Sequence, residues 1–249
     1  MDVRELAVEI PVGGGAKCGG LLFEPAADGP WPGVVQLTDI FGIREAANGM
    51  AKRLAEKGFA VLEPNIFYRT GAPPLFDFPP KIGEERTMNR LGELRAPLTP
   101  EAMEADAVAY AKFLAGQRGV KQGGLGIVGY CLTGSMAVRA AAALPEKIAA
   151  AASFHGGGLA TDAPTSPHAL LPRVKARLYF GHAVNDKSMP QESIEKLDAA
   201  LRAWGGRFES EVYAGALHGW TVPDSAAYNG PQAERAFEKL AGLFRESLG

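Results

Sequence analysis

The chain has 249 residues, enough for a sizeable core, and 47% hydrophobic with 22% charged residues is the composition of a folded globular protein rather than a disordered one. Its 26 Lys and Arg nearly balance 28 Asp and Glu, so a net charge of −2 gives no electrostatic case for nucleic acid or an anionic membrane surface. Two cysteines, Cys18 and Cys131, are too few for a disulfide framework. Asp2, Arg4, Glu5 and Glu9 interrupt any apolar leader, and no window approaches a membrane span. A cytoplasmic protein with reduced thiols is expected.

Short apolar runs alternate with helical-period segments, the pattern of a mostly parallel sheet with helices on both faces. Val3–Ile10 and Lys17–Phe23 read as opening strands joined through Gly13, Gly14 and Gly15. Gly33–Leu37 is a continuous apolar strand, Arg44–Lys57 a helix ended by Gly58, and Phe59–Glu63 the next strand. Prolines at 73, 74, 79, 80 and 97 break residues 68–100 into an irregular, lid-like excursion with one short helix at Gly83–Leu94. A helix follows from Pro100 to Ala115, then a strand at Leu125–Gly129 and an Ala-rich helix at Leu132–Leu144. Strands at Ile148–Phe154, Ala176–Phe180 and Phe208–Tyr213 complete the pattern, with a loop at Leu159–Pro172 and helices at Gln191–Trp204 and Gln232–Leu248. Residues 1–249 read as a single α/β domain.

The most informative stretch is GLGIVGYCLTG at Gly124–Gly134. A strand runs into Cys131 and a small-residue helix follows at once, the context of the nucleophile elbow of α/β-hydrolases. Gly129 stands two residues before Cys131, but the position two after it is Thr133, with Gly134 one further on. A helix N-terminus favours a thiolate and offers backbone N–H groups to an oxyanion. The plainer alternative is a small buried thiol. Gly124, Gly126 and Gly129 also spell a dinucleotide fingerprint, but they fall inside the strand instead of opening a helix.

Asp186 follows the strand ending at Phe180, and His218 follows the strand ending at Tyr213. The order Cys131, Asp186, His218, each after a strand, is the triad order of the fold. His218 would take the thiol proton, and Asp186 would orient the imidazole. A loop Asp is also often a helix cap, open here to Asp186 or Ser188. His155 ends a strand, where lining the same rim and making a turn hydrogen bond are equally open readings. No metal-binding cluster is present in the sequence, and neither a metal nor a cofactor is expected.

These residues resemble the dienelactone hydrolase family of α/β-hydrolases. The resemblance rests on TDIFG at Thr38–Gly42, EPNIFYR at Glu63–Arg69, VGYCLTG at Val128–Gly134, GHAVND at Gly181–Asp186 and GALHGW at Gly215–Trp220. It implies a Cys131–His218–Asp186 triad, oxyanion donors at the N–H groups of Ile40 and Leu132, and a carboxylate modulating the nucleophile. That carboxylate is usually a Glu, and Asp39 holds its place here. Dienelactone-cleaving members carry an Arg four residues after the catalytic His, where this chain has Val222, so dienelactone itself is not the preferred substrate. Phe41, Tyr68, Arg69, Phe154, His155 and Trp220 are expected around the pocket.

The leading expectation is a cofactor-independent hydrolase of a small ester or lactone, working through a thioester as a monomer or weak homo-oligomer. A non-catalytic scaffold binding a small ligand or protein is the alternative. Redox chemistry lacks a C-x-x-C pair.

Overall fold

Runs of consecutive apolar residues belong in a sheet covered on both faces. The computed structural model, which describes all residues 1–249, places them there. The strands are β1 (Val3–Pro11), β2 (Lys17–Pro25), β3 (Gly33–Leu37), β4 (Ala60–Pro64), β5 (Leu125–Tyr130), β6 (Ile148–Phe154), β7 (Arg177–His182) and β8 (Phe208–Val212). They form one eight-stranded sheet in the order β1-β2-β4-β3-β5-β6-β7-β8. β2 pairs antiparallel with β1 and β4, and every pairing from β4 across to β8 is parallel. Every residue of β3, β4 and β5 is buried.

Alternating side chains feed two cores. Val35 and Ile127 enter one, with Tyr110 and Leu114 of α3 (Pro100–Ala115), Met136 and Ala140 of α4 (Gly134–Ala143) and Leu197 of α5 (Gln191–Trp204). Val34 and Val128 enter the other, with Leu54 of α1 (Glu45–Glu56) and Phe244 of α6 (Gly230–Leu248). A Cβ on Gly126 would stand 2.7 Å from the Phe244 ring, so this strand glycine is what lets α6 lie against β5. The architecture is the α/β-hydrolase fold.

Residues 68–100 carry α2 (Glu85–Arg95), pinned to the first core by Leu75, Leu91, Leu94 and Leu98. The loop expected at Leu159–Pro172 contains a short 3-10 helix, Pro167–Arg173. Proline suits the first position of such a turn, and Leu171 anchors it in the core. The helix expected from Leu132 is a 3-10 turn at Cys131–Thr133 followed by α4. No helix is long and apolar enough to cross a membrane.

Because β3 and β5–β8 run parallel, the loops at their C-terminal ends gather along one edge of the sheet. That edge holds Asp39, Ile40 and Phe41 after β3, Cys131 after β5, His155 after β6, Asp186 after β7 and His218 after β8.

Candidate active site

Strand β5 enters a sharp turn at Cys131, whose φ of 56° is a left-handed backbone that non-glycine residues adopt only at a cost. The turn closes because Gly129 has no side chain: a Cβ there would meet the Thr133 carbonyl oxygen at 2.1 Å. Gly134 lets the helix start approach β6, since its Cβ would stand 2.3 Å from Ser153 Oγ. Thr133, the departure from the usual five-residue pattern, is a buried tie. Its hydroxyl accepts the Tyr130 N–H at 2.9 Å and faces the carbonyl oxygens of Thr38, Tyr130 and Leu37 at 2.9, 3.0 and 3.2 Å.

Cys131 Sγ lies 3.0 Å from His218 Nε2, and His218 Nδ1 lies 2.6 Å from Asp186 Oδ2. The remaining Asp186 oxygen, Oδ1, accepts the Ser188 N–H at 2.8 Å and its hydroxyl at 2.7 Å. The oxygen of that hydroxyl is 3.3 Å from His218 Nδ1. Helix α5 is capped by Pro190 without a side-chain bond, so Asp186 faces the histidine and not the helix. Burial disfavours charge on His218, but the bond to Asp186 and the bond and charge of Cys131 outweigh it and raise the imidazolium to about 10. Burial would raise Asp186, but the bonds from His218 and Ser188 outweigh it and hold the carboxyl below its ordinary range.

A model of the dienelactone hydrolase family matches residues 18–248. The chain belongs to the dienelactone hydrolase family. It is similar to a Rhodococcus opacus protein named carboxymethylenebutenolidase, 30% identical over 74% of this chain and 68% of that one. A Synechocystis protein provisionally given the same name is 29% identical over 100% of this chain and 99% of its own. Among solved structures, a Klebsiella pneumoniae protein provisionally titled a dienelactone hydrolase superposes with a TM-score of 0.87 at 24% identity, covering 99% of this chain and 100% of that one. The dienelactone hydrolase of Anabaena variabilis gives 0.73 at 18%, over the full length of both. At these identities the two structures speak for the fold alone.

Within this dienelactone hydrolase family member, the remaining candidate residues separate. The Ile40 N–H has no acceptor in the protein, and Leu132 sits inside the turn that follows Cys131. Asp39 makes no bond to Cys131. It accepts the Phe41 N–H at 2.9 Å and grips Arg44 through two bonds of 2.8 and 2.9 Å. Arg44 grips Asp224 in the same forked way, at 2.7 and 2.9 Å. Val222 shares a small cavity with Arg44, whose charge is therefore already paired.

Four of the residues expected around the pocket lie elsewhere. Trp220 and Phe154 are core, 0% and 1% exposed, because the aromatic rings at this end of the sheet pack against one another beneath the loops. Tyr68 and Arg69 spend their polar groups on Asp106 of α3, at 3.0 Å from the phenol and 2.6 and 2.9 Å from the guanidinium. His155 is 1% exposed, its ring lying under Cys131 and not toward solvent. Phe41 is partly exposed beside Ile40, and its ring meets Phe76 at 5.8 Å. Ser188, Thr133 and Arg44 were not singled out as site residues in the sequence. An Asp followed two residues later by Ser is the one local signal that pointed to Ser188.

The second cysteine is far from this chemistry. Cys18 is fully buried on β2, its Sγ 3.3 Å from the Asn65 carbonyl oxygen, and burial pushes the thiol up to about 11.

Proposed function

We propose that the protein hydrolyses a small ester or lactone through a Cys131–His218–Asp186 triad and a thioester intermediate. The observation that carries this reading is the unbroken chain of contacts from Cys131 Sγ through the imidazole to Asp186, 3.0 and 2.6 Å long. With His218 carrying the proton, the Cys131 thiolate attacks the carbonyl carbon and the carbonyl π pair moves onto oxygen. The N–H groups of Ile40 and Leu132 hold that oxyanion, each such donor being worth about 3–4 kcal/mol. As the tetrahedral species collapses, His218 Nε2–H protonates the departing alkoxide and a thioester remains. His218, now neutral, takes a proton from water, which attacks the thioester. The sulfur leaves as thiolate, and the acid is released.

Asp186 keeps Nε2 aimed at sulfur and stabilises the imidazolium. Phe41 and Phe76 form an aromatic wall beside the oxyanion donors, which suits a compact substrate with an apolar face. Replacing Cys131 with Ala should abolish turnover of a chromogenic ester with the fold intact, and rapid quench with mass spectrometry of the parent should trap an acyl group on Cys131. Full turnover by C131A would overturn the reading.

A further inference from the structure

We propose that His155 is a positioning residue that holds the nucleophile turn in its reactive shape, a role resting on the reading of Cys131 as nucleophile. Cys131 and His155 both have left-handed backbones, with φ of 56° and 39°. Such conformations cost about 1–3 kcal/mol each and persist only where the surroundings hold them. Here the two turns hold each other.

The Cys131 N–H donates to His155 Nδ1 at 3.1 Å. That nitrogen therefore carries a lone pair, and Nε2 carries the proton it donates to Thr221 Oγ1, 2.7 Å away. Burial, aided by the charge of His218, pushes the imidazolium down to about 3, so the ring stays neutral and the acceptor is permanent. On the other side of Cys131, the Gly157 N–H donates to its carbonyl oxygen at 3.3 Å. The loop after β6 thus grips both peptide groups flanking the nucleophile. The second of these contains the Leu132 N–H proposed for the oxyanion.

The same ring reaches the third member of the triad. Thr221 lies on the His218 loop, and the two imidazoles meet edge to face at 5.1 Å. With both nitrogens committed and 1% exposure, His155 cannot touch substrate or exchange a proton with it. It acts through Cys131.

The experiment compares the full-length parent with H155F, H155N and T221V on 4-nitrophenyl acetate, alongside thermal melting. H155F removes both bonds and should lower kcat about tenfold to a hundredfold, with KM within about threefold. H155N keeps an oxygen at the Nδ1 position and a residue tolerant of left-handed backbone, so it should recover most of that loss. If H155F does not fold, T221V decides. It leaves Nδ1 in place but strands the buried Nε2–H at the other end of the ring, so it should melt somewhat earlier and, fully folded at the assay temperature, lower kcat at least threefold with KM within about threefold. Unchanged kcat in H155F, H155N no better than a folded H155F, or unchanged T221V where H155F cannot be measured would overturn the proposal. C131A keeps the two failures apart: an active C131A sinks the nucleophile reading, whereas an inactive C131A with a fully active H155F sinks only the role of His155.

Discussion

The Thr133 hydroxyl reaches from the nucleophile turn to the carbonyl oxygen of Thr38, 2.9 Å away. Two residues beyond Thr38 is Ile40, so one buried side chain joins the turn bearing Cys131 to the loop bearing the other proposed oxyanion donor. Replacing Thr133 with Val keeps the shape and deletes this tie. It also strands the Tyr130 N–H, which now donates to the hydroxyl. A stranded buried donor costs about 1–3 kcal/mol, so T133V should melt earlier and turn over more slowly. Chemical denaturation and steady-state kinetics on one preparation test both parts. A variant as stable as the parent would refute the tie.

The charge of His218 makes a pH prediction with a definite sign. Its folded pKa of about 10 exceeds the ordinary 6.5. The stabilisation from its charged form is complete below about 6.5 and is lost as pH rises through about 10. Asp186 acts oppositely: its contribution is present above its ordinary 3.8 and disappears as pH falls through its lowered value. Melting temperature should therefore decline on the alkaline side, and less steeply in C131A, which lacks the thiol that helps hold the proton. Turnover should decline above about pH 10, where Nε2 no longer has a proton for the leaving group. An alkaline limb near 7 would mean that His218 is not held protonated by its partners.

The fold was legible because β3, β5 and β6 are short apolar runs with no polar face, which fit only a sheet covered on both sides. The elbow was legible because Cys131 falls between such a run and a small-residue helix. Fate by orientation was not legible. Phe154 ends β6 and Trp220 lies two residues after His218 in the same loop, yet both rings are buried against one another, and composition carries no sign of that direction. For His155 the sequence left rim lining and a turn hydrogen bond equally open, and its actual partner, the Cys131 N–H at the end of another strand, is a contact no local pattern announces. Asp39 matched the position of a family carboxylate, but Arg44 five residues on claims both its oxygens. That pairing depends on how the loop after β3 folds back.

Phe76 should govern affinity for substrates with a ring. It packs between Phe41 at 5.8 Å and Phe78 at 5.7 Å, and Phe41 follows Ile40 directly. Replacing Phe76 with Ala removes one aromatic face and loosens its neighbour. Pairs of this kind are worth about 0.5–1.5 kcal/mol, which corresponds to a rise in KM of roughly twofold to tenfold for aryl esters. Short alkyl esters should show a smaller change. Equal changes for both series would place the wall outside the substrate's reach.

Asp39 and Arg44 should act on the oxyanion loop and leave the thiol alone. Asp39 accepts the Phe41 N–H and is held by a guanidinium that also grips Asp224, fixing the peptide around Ile40. Arg44→Lys keeps the charge but cannot make two forked contacts at once, so it should cost about 1–3 kcal/mol of stability and lower turnover with it. Asp39→Asn keeps an oxygen for Phe41 and loses the ion pair, so ester turnover should fall. Iodoacetamide alkylates a thiolate without forming an oxyanion, and its rate with Cys131 should stay near parental in Asp39→Asn. A matching loss in both reactions would instead assign Asp39 to the nucleophile itself, the role its position in the family pattern suggests.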